Sequence, residues 1–177
     1  KRTPPYEMEF NAHMHLATNY DGSKAAKAAI LKELNKMLDE KKNEDYKDQI
    51  YYAMSEIYRI DGDTATQKDY LARSVAAYSN NEYQRTFSSL ALADIYFNEE
   101  KYMEAQNYYD TATMTMPKNY PGYDNIIKKS NVLRELTDNL KMIALQDSLQ
   151  RIAKMSEGQR NQWVQRMIAA YTEKERR

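Results

Sequence analysis

The stretch LADIYFNEEKYMEAQNYYDTATMTMP, residues 92–117, decides the fold of this chain. Apolar and small residues recur at helical spacing on both sides of Asn98-Glu99-Glu100, which predicts two helices joined by a short polar turn. Ala93 and Ala105 are small enough to let the two helices approach closely. Pro117 lacks an N–H group and would end the second helix. The stretch therefore predicts a helical hairpin.

The same pattern recurs upstream at a constant interval. The recurring element is a large apolar residue, a small residue, two further residues and a tyrosine. The copies are Leu16-Ala17-Thr18-Asn19-Tyr20, Met54-Ser55-Glu56-Ile57-Tyr58 and Leu92-Ala93-Asp94-Ile95-Tyr96. Both steps between the tyrosines are 38 residues long. Two equal steps with matching flanks indicate a repeat of helical hairpins.

The third copy resembles the tetratricopeptide repeat. The positions that match its signature are Leu92, Ala93, Tyr96, Tyr102, Ala105, Tyr109, Ala112 and Pro117. The usual aromatic at the position of Ser89 is missing, and the second copy has Leu71 in place of an aromatic in its second helix. The resemblance implies an all-α, right-handed α-α superhelix that binds proteins. It also implies that Tyr96 and Tyr109 fill the space between successive hairpins.

The predicted organisation is a repeat solenoid over residues 1–155, followed by a capping helix over 156–177. Its hairpins would span about 5–41, 45–79 and 83–117, with a possible fourth over 123–154 that could equally be one long helix. Ser156 and Gln159 read as a capping box that opens the last helix. Lys1-Arg2-Thr3-Pro4-Pro5 suggests that the chain is a piece of a longer protein.

Composition excludes several classes of function. Lys and Arg number 26 and Asp and Glu also number 26, so no charge excess favours nucleic acid. There is no Cys, and His13 and His15 point to nearly opposite sides of a helix, so no metal or thiol site is predicted. No catalytic set can be assembled, so we expect no enzyme, no cofactor and no direct insertion of this segment into a membrane.

A second resemblance is more specific. Gly122-Tyr123-Asp124, Lys128-Lys129-Ser130 and LQDSLQRIAKMS (residues 145–156) are similar to segments of the gliding-motility and type IX secretion lipoproteins of Bacteroidetes, the SprE/PorW kind. The stretch YKDQIYYA, residues 46–53, resembles them too. This resemblance implies a longer lipoprotein on the periplasmic face of the outer membrane, with secretion or motility proteins as partners and a monomeric or weakly dimeric state.

Protein binding is expected in the groove that the first helices of the hairpins line. The candidates lie at matching positions of the copies and combine aromatic, aliphatic and polar side chains: Met14, Gln49, Tyr52, Glu56, Arg59, Phe87, Leu90, Asp94, Phe97 and Asn98. Such a mixture suits recognition of a peptide, although Phe87 and Leu90 could simply pack. The favoured function is a non-enzymatic interaction scaffold. The alternative is a periplasmic carrier of peptide or carbohydrate in the same groove.

Overall fold

The regular structure of the protein is entirely helical over the part that the computed structural model describes, residues 6–176. The α-helices are α1 Tyr6–Thr18, α2 Lys24–Asp39, α3 Lys47–Ile60, α4 Thr64–Ala76, α5 Glu82–Asn98, α6 Tyr102–Thr115, α7 Tyr123–Ala153 and α8 Glu157–Glu175. A 3-10 helix, Lys41–Tyr46, precedes α3. The predicted all-α class is confirmed. The predicted helix start at residue 5 and the segment before it lie outside the described residues.

The first six helices form three hairpins that pack in chain order. Each second helix contacts the first helix of its own hairpin, and α2 and α4 also contact the next hairpin. The first helices touch one another as well, α1 against α3 and α3 against α5. They therefore share one surface, as the groove prediction requires.

The turns inside the second and third hairpins repeat one another 38 residues apart. A backbone N–H reaches the carbonyl five residues earlier in both: Asp63 to Tyr58 at 3.0 Å, and Lys101 to Tyr96 at 2.9 Å. Gly62 has φ 75° in the first turn, and Glu100 has φ 59° in the second. Glycine adopts this left-handed conformation freely, whereas glutamate pays for it in steric strain. The sequence repeat is thus a structural repeat down to the backbone.

The small residues of the third copy lie in one buried cluster, where the two helices of the hairpin meet. Ala93 in α5 and Ala105 in α6 are fully buried, together with Tyr109. The repeated tyrosines stack on a tyrosine twelve residues later: Tyr58 on Tyr70 at 5.4 Å and Tyr96 on Tyr108 at 5.6 Å between ring centroids. These positions correspond, which supports the repeat.

At two places in the stack, a lysine from the second helix of one hairpin contacts the first helix of the next hairpin. Each ammonium group lies over a tyrosine ring and beside a carboxylate: Lys27 on Tyr58 and Asp61, and Lys68 on Tyr96 and Glu99. The distances from the ammonium nitrogens to the ring centroids are 4.2 Å and 5.1 Å. We call these contacts the lysine clamps; they combine a cation–π contact with an ion pair.

A buried polar seam also joins the second and third hairpins. The hydroxyl of Ser74 in α4 donates to the backbone carbonyl of Asp48 in α3 at 2.7 Å and lies 2.6 Å from the hydroxyl of Ser88 in α5. The Asp48 carboxyl is itself fully buried. One of its oxygens accepts from the N–H of Gln49, and the other has no hydrogen-bond partner. Burial in the seam therefore favours the neutral form of the Asp48 carboxyl over the ionised form.

Residues 123–153 form one uninterrupted helix, which answers the question that the sequence left open. The chain divides into two compact units, Lys1–Leu133 and Arg134–Arg177, so α7 belongs to both. In the first unit, Ile126 and Leu133 of α7 pack against the buried core of the third hairpin. α8 begins with the predicted capping box at Ser156 and Gln159. It buries none of its described residues, and its capping role stays a prediction. None of the described helices is long and apolar enough to cross a membrane.

Candidate functional site

All ten predicted groove residues lie on the first helices of the hairpins. Met14 is in α1, the next four are in α3, and the last five are in α5. Some of these side chains pack against the core and others are exposed, so only part of the set is available to a partner.

The most prominent feature is a row of four aromatic rings that crosses three elements. Tyr52 of α3 meets Phe87 of α5 at 6.1 Å, and Phe87 meets Tyr120, just before α7, at 6.0 Å, both nearly edge to face. Tyr83 of α5 lies 6.1 Å from Tyr120, and its hydroxyl donates to Asn119 at 3.0 Å. We call these four residues the aromatic row. Such pairs are rigid and favourable beyond their buried area.

The row is partly open to solvent. Phe87 is 52% exposed and Tyr83 is 46% exposed, whereas Tyr120 is buried beneath them and Tyr52 is half-buried. Burial raises the pKa of Tyr52 to about 12, with a smaller contribution from nearby Glu56. Burial also raises the pKa of Tyr120. The phenols of Tyr52 and Tyr120 therefore stay neutral, and the row offers apolar ring surface together with hydroxyl groups.

The charged candidates already have partners within the chain. Arg59 donates to Glu56 at 2.9 Å, one helical turn away. Asp94 accepts from Lys129 of α7 at 2.8 Å and from the hydroxyl of Tyr109. Burial lowers the pKa of Lys129, but its hydrogen bonds to Asp94 and Tyr109 outweigh this and leave it raised. The charges of these side chains are already paired within the chain, so they are less available to a binding partner than the sequence suggested.

Three apolar candidates pack inward to different degrees. Met14 lies against the core of the first two hairpins, and Leu90 and Phe97 lie against the core of the third. The Lys129 ammonium covers the Phe97 ring at 4.8 Å. Asn98 is exposed. The packing interpretation therefore applies to Leu90 and Phe97 more than to Phe87.

Gln49 borders a separate surface depression. The other residues that line it are Tyr6, Phe10, Asn11 and Tyr46. Tyr46 contacts Phe10 at 4.9 Å between ring centroids, so the aromatic rings here mainly support the first hairpin.

Sequence reasoning missed two members of the row. Tyr83 lies one helical turn before Phe87, and that spacing could have revealed it. Tyr120 comes from the turn Asn119-Tyr120-Pro121-Gly122, outside the repeat pattern, and no repeat position pointed to it. The described residues contain no group of His, Asp or Glu that could hold a metal ion.

The hairpins are stacked, small residues are buried where their helices meet, and the first helices share a surface. These features define a tetratricopeptide-type protein. Proteins of this class are protein-binding scaffolds and are typically not enzymes. Residues 4–116 match the family model described as the SusR N-terminal TPR domain, and the chain belongs to that family. A comparison with curated proteins found no match. The similarity to the SprE/PorW kind stays a prediction.

Proposed function

We propose that this protein is an interaction scaffold that holds a segment of a partner protein against the aromatic row. The observation that carries the proposal is the exposure of Phe87 and Tyr83 on a surface that the first helices share. Exposed aromatic side chains on a rigid support are typical anchors of protein interfaces. The half-buried Tyr52 and the buried Tyr120 hold those rings in place from beneath.

The partner segment is expected to be apolar or aromatic more than charged. The charged candidates on the first helices already have partners, Glu56 with Arg59 and Asp94 with Lys129. A charged partner would have to break those pairs, whereas an apolar side chain would bury ring surface without that cost.

We further propose a place in the cell envelope. The protein would act within a secretion or gliding-motility complex, as part of a longer lipoprotein on the periplasmic face of the outer membrane. The similarity of residues 145–156 to the SprE/PorW kind supports this. An epitope tag on the full-length protein, followed by membrane fractionation and protease accessibility in the cell, tests it. Recovery in the cytoplasmic fraction would overturn this part of the proposal.

A matched pair of photo-crosslinking variants tests the binding surface. One variant carries benzoylphenylalanine in place of Phe87, and the other carries it in place of Met114, which is 86% exposed on α6. We expect a discrete crosslinked partner from envelope extract at position 87 and none at position 114. The crosslink should be competed away by the unlabelled chain, but less by a Phe87→Ala chain. Equal crosslinking at both positions would refute the choice of surface.

The second candidate function is a carrier of peptide or carbohydrate. The exposed rings of Tyr83 and Phe87 favour it, because flat apolar faces also stack on sugar rings. Calorimetric titration with oligosaccharide and peptide mixtures would distinguish the two. Saturable binding of a small ligand that is lost in Phe87→Ala would favour the carrier.

A further inference from the structure

The depression beside Gln49 combines aromatic rings with polar groups that the chain does not use. Its lining residues come from α1, the 3-10 helix and α3, and they are Tyr6, Phe10, Asn11, Tyr46 and Gln49. Among the described residues, the Tyr6 hydroxyl finds no hydrogen-bond partner although it is buried. Within that part of the chain, the side-chain amides of Asn11 and Gln49 make no hydrogen bond either. These groups are therefore available to a ligand.

The size of the depression limits what it can hold. Its volume is about 180 Å³. A cavity of about 150 Å³ holds one benzene molecule, whereas sites for whole small ligands measure about 300–1,000 Å³. The depression therefore has room for one large side chain of a partner protein, and it is too small for an entire small-molecule ligand.

The orientation of the rings also favours a side chain over a sugar. The ring planes of Phe10 and Tyr46 are inclined by 47°, and those of Tyr6 and Tyr46 by 62°. Phe10 is only 4% exposed, and the Lys42 ammonium lies over the Tyr6 ring at 4.7 Å. A sugar stacks on an open, flat ring face, whereas these inclined rings form a cup. Such a cup suits edge-to-face contact with an aromatic side chain or packing of a branched one.

The depression lies beside the aromatic row on the surface that the first helices share. Asn11, Gln49 and Phe87 are each 38 residues apart and so occupy the same position of the three repeats. Their helices α1, α3 and α5 contact one another in that order. Tyr52 of the row follows Gln49 by one helical turn on the same side of α3. Neighbouring packed helices are roughly 8–10 Å apart, so this distance separates the depression from the row.

A partner segment in the polyproline II conformation matches this spacing. The conformation has three residues per turn and rises about 3.1 Å per residue, so residues i and i+3 face the same side about 9 Å apart. In a β-strand, residues that share a side are roughly 7 Å or 13 Å apart, which fits less well.

Hydrogen bonding favours the same conformation. A polyproline II segment makes no internal hydrogen bonds, so its peptide groups can pair with amide side chains, which offer both a donor and an acceptor. A helical segment bonds its own peptide groups and would leave the amides of Asn11 and Gln49 unused. Grooves lined by aromatic residues are typical receptors for polyproline II segments.

We propose that the partner segment binds in the polyproline II conformation, with one large apolar side chain on the aromatic row and the side chain three positions away in the depression. Asn11 and Gln49 bind its peptide groups beside the second anchor. This arrangement rests on the proposed function and adds to it the conformation of the segment and the spacing of its anchors.

A phage-displayed library of random twelve-residue peptides, selected on the 177-residue chain, tests the spacing. We expect the enriched peptides to share two large apolar residues three positions apart. Fluorescence anisotropy then compares one selected peptide with versions in which the second anchor is moved by one position in either direction. Each shift should weaken binding at least tenfold.

Matched variants of the chain test the depression itself. Asn11→Trp fills the depression from an exposed position on α1 and should weaken binding of the selected peptide at least tenfold. Asn107→Trp, at an exposed position on α6, is the control and should leave binding unchanged. Replacing the second anchor of the peptide with alanine should weaken binding to the wild type at least tenfold. The same replacement should change binding to Asn11→Trp less than twofold, because both changes remove one contact.

Circular dichroism establishes that each variant keeps its helix content. Independent, additive losses from Asn11→Trp and the alanine peptide would overturn the assignment of the depression. A different anchor spacing, or a selection that enriches no peptide, would overturn the polyproline II segment. If Phe87→Ala weakens the peptide and Asn11→Trp does not, the depression is excluded while the proposed function stands. A peptide that is indifferent to Phe87→Ala would refute the aromatic row as its binding surface.

Discussion

Replacing Asp48 with asparagine should stabilise the protein at neutral pH and leave it almost unchanged in acid. Asp48 is fully buried at the start of α3, and one of its carboxyl oxygens has no hydrogen-bond partner. Burial raises the pKa of this carboxyl from its usual 3.8 to about 6, although backbone N–H groups of Gln49 and of Asp48 itself lower it. The folded state therefore holds this proton more tightly than the unfolded state does.

The sign and size of the effect follow from that difference. The carboxyl contributes no penalty below about pH 4, where both states are protonated. As pH rises from about 4 to 6, the unfolded chain ionises first, so the free energy of unfolding falls. Above the folded-state pKa the full penalty is present, and a shift of about two pKa units corresponds to roughly 3 kcal/mol. Asparagine has the shape of the protonated acid and never ionises, so it escapes the penalty.

Urea unfolding followed by circular dichroism at pH 4.0 and pH 7.5 measures this. We expect the Asp48→Asn variant to match the wild type within about 1 kcal/mol at pH 4.0 and to exceed it by about 2–3 kcal/mol at pH 7.5. Asp45→Asn removes an exposed charge from the same segment and serves as the control. The reasoning fails if the difference between Asp48→Asn and wild type is the same at both pH values.

Three further changes probe the hairpin stack. Glu100→Gly should raise the free energy of unfolding by about 0.5–1 kcal/mol, because glycine adopts the left-handed backbone without strain; an unchanged urea midpoint would contradict the strain. Lys68→Met removes the charge of the second lysine clamp but keeps the length of the stem. Its urea midpoint should be lower than that of the wild type at low salt and approach it in 1 M NaCl, where ion pairs are screened. Ala93→Leu should cost about 1–3 kcal/mol, since the residue is fully buried where α5 crosses α6; wild-type thermal stability of this variant would mean that the crossing tolerates larger residues.

Sequence periodicity predicted the hairpins because few residue types can occupy the positions that define the repeat. Ala93 and Ala105 are small where helices cross, and Tyr58 and Tyr96 occupy equivalent stacks. Each of these roles requires a particular residue type at one position. The same residue types therefore recur at a constant spacing, which can be detected in the sequence.

The candidate site was harder to predict because it depends on contacts between distant segments. Asp94 looked available in the sequence, but Lys129 lies 35 residues downstream and pairs with it. Tyr120 joins the aromatic row from a turn outside the repeat. Neither relation has a local signal, whereas the position of Phe87 in the repeat makes it a candidate from sequence, and the structure leaves its ring exposed.

The lysine clamps give the stack of hairpins a direction, because each clamp joins a donor on one hairpin to an acceptor on the next. Further hairpins can be added along that direction. The hairpin of α3 and α4 carries an acceptor, Tyr58 with Asp61, at its upstream side and a donor, Lys68, at its downstream side. A tandem duplicate of this module would present its own acceptor to the donor of the copy before it, as in any head-to-tail assembly. Gene duplication could thus lengthen the array by whole modules without inventing a new contact.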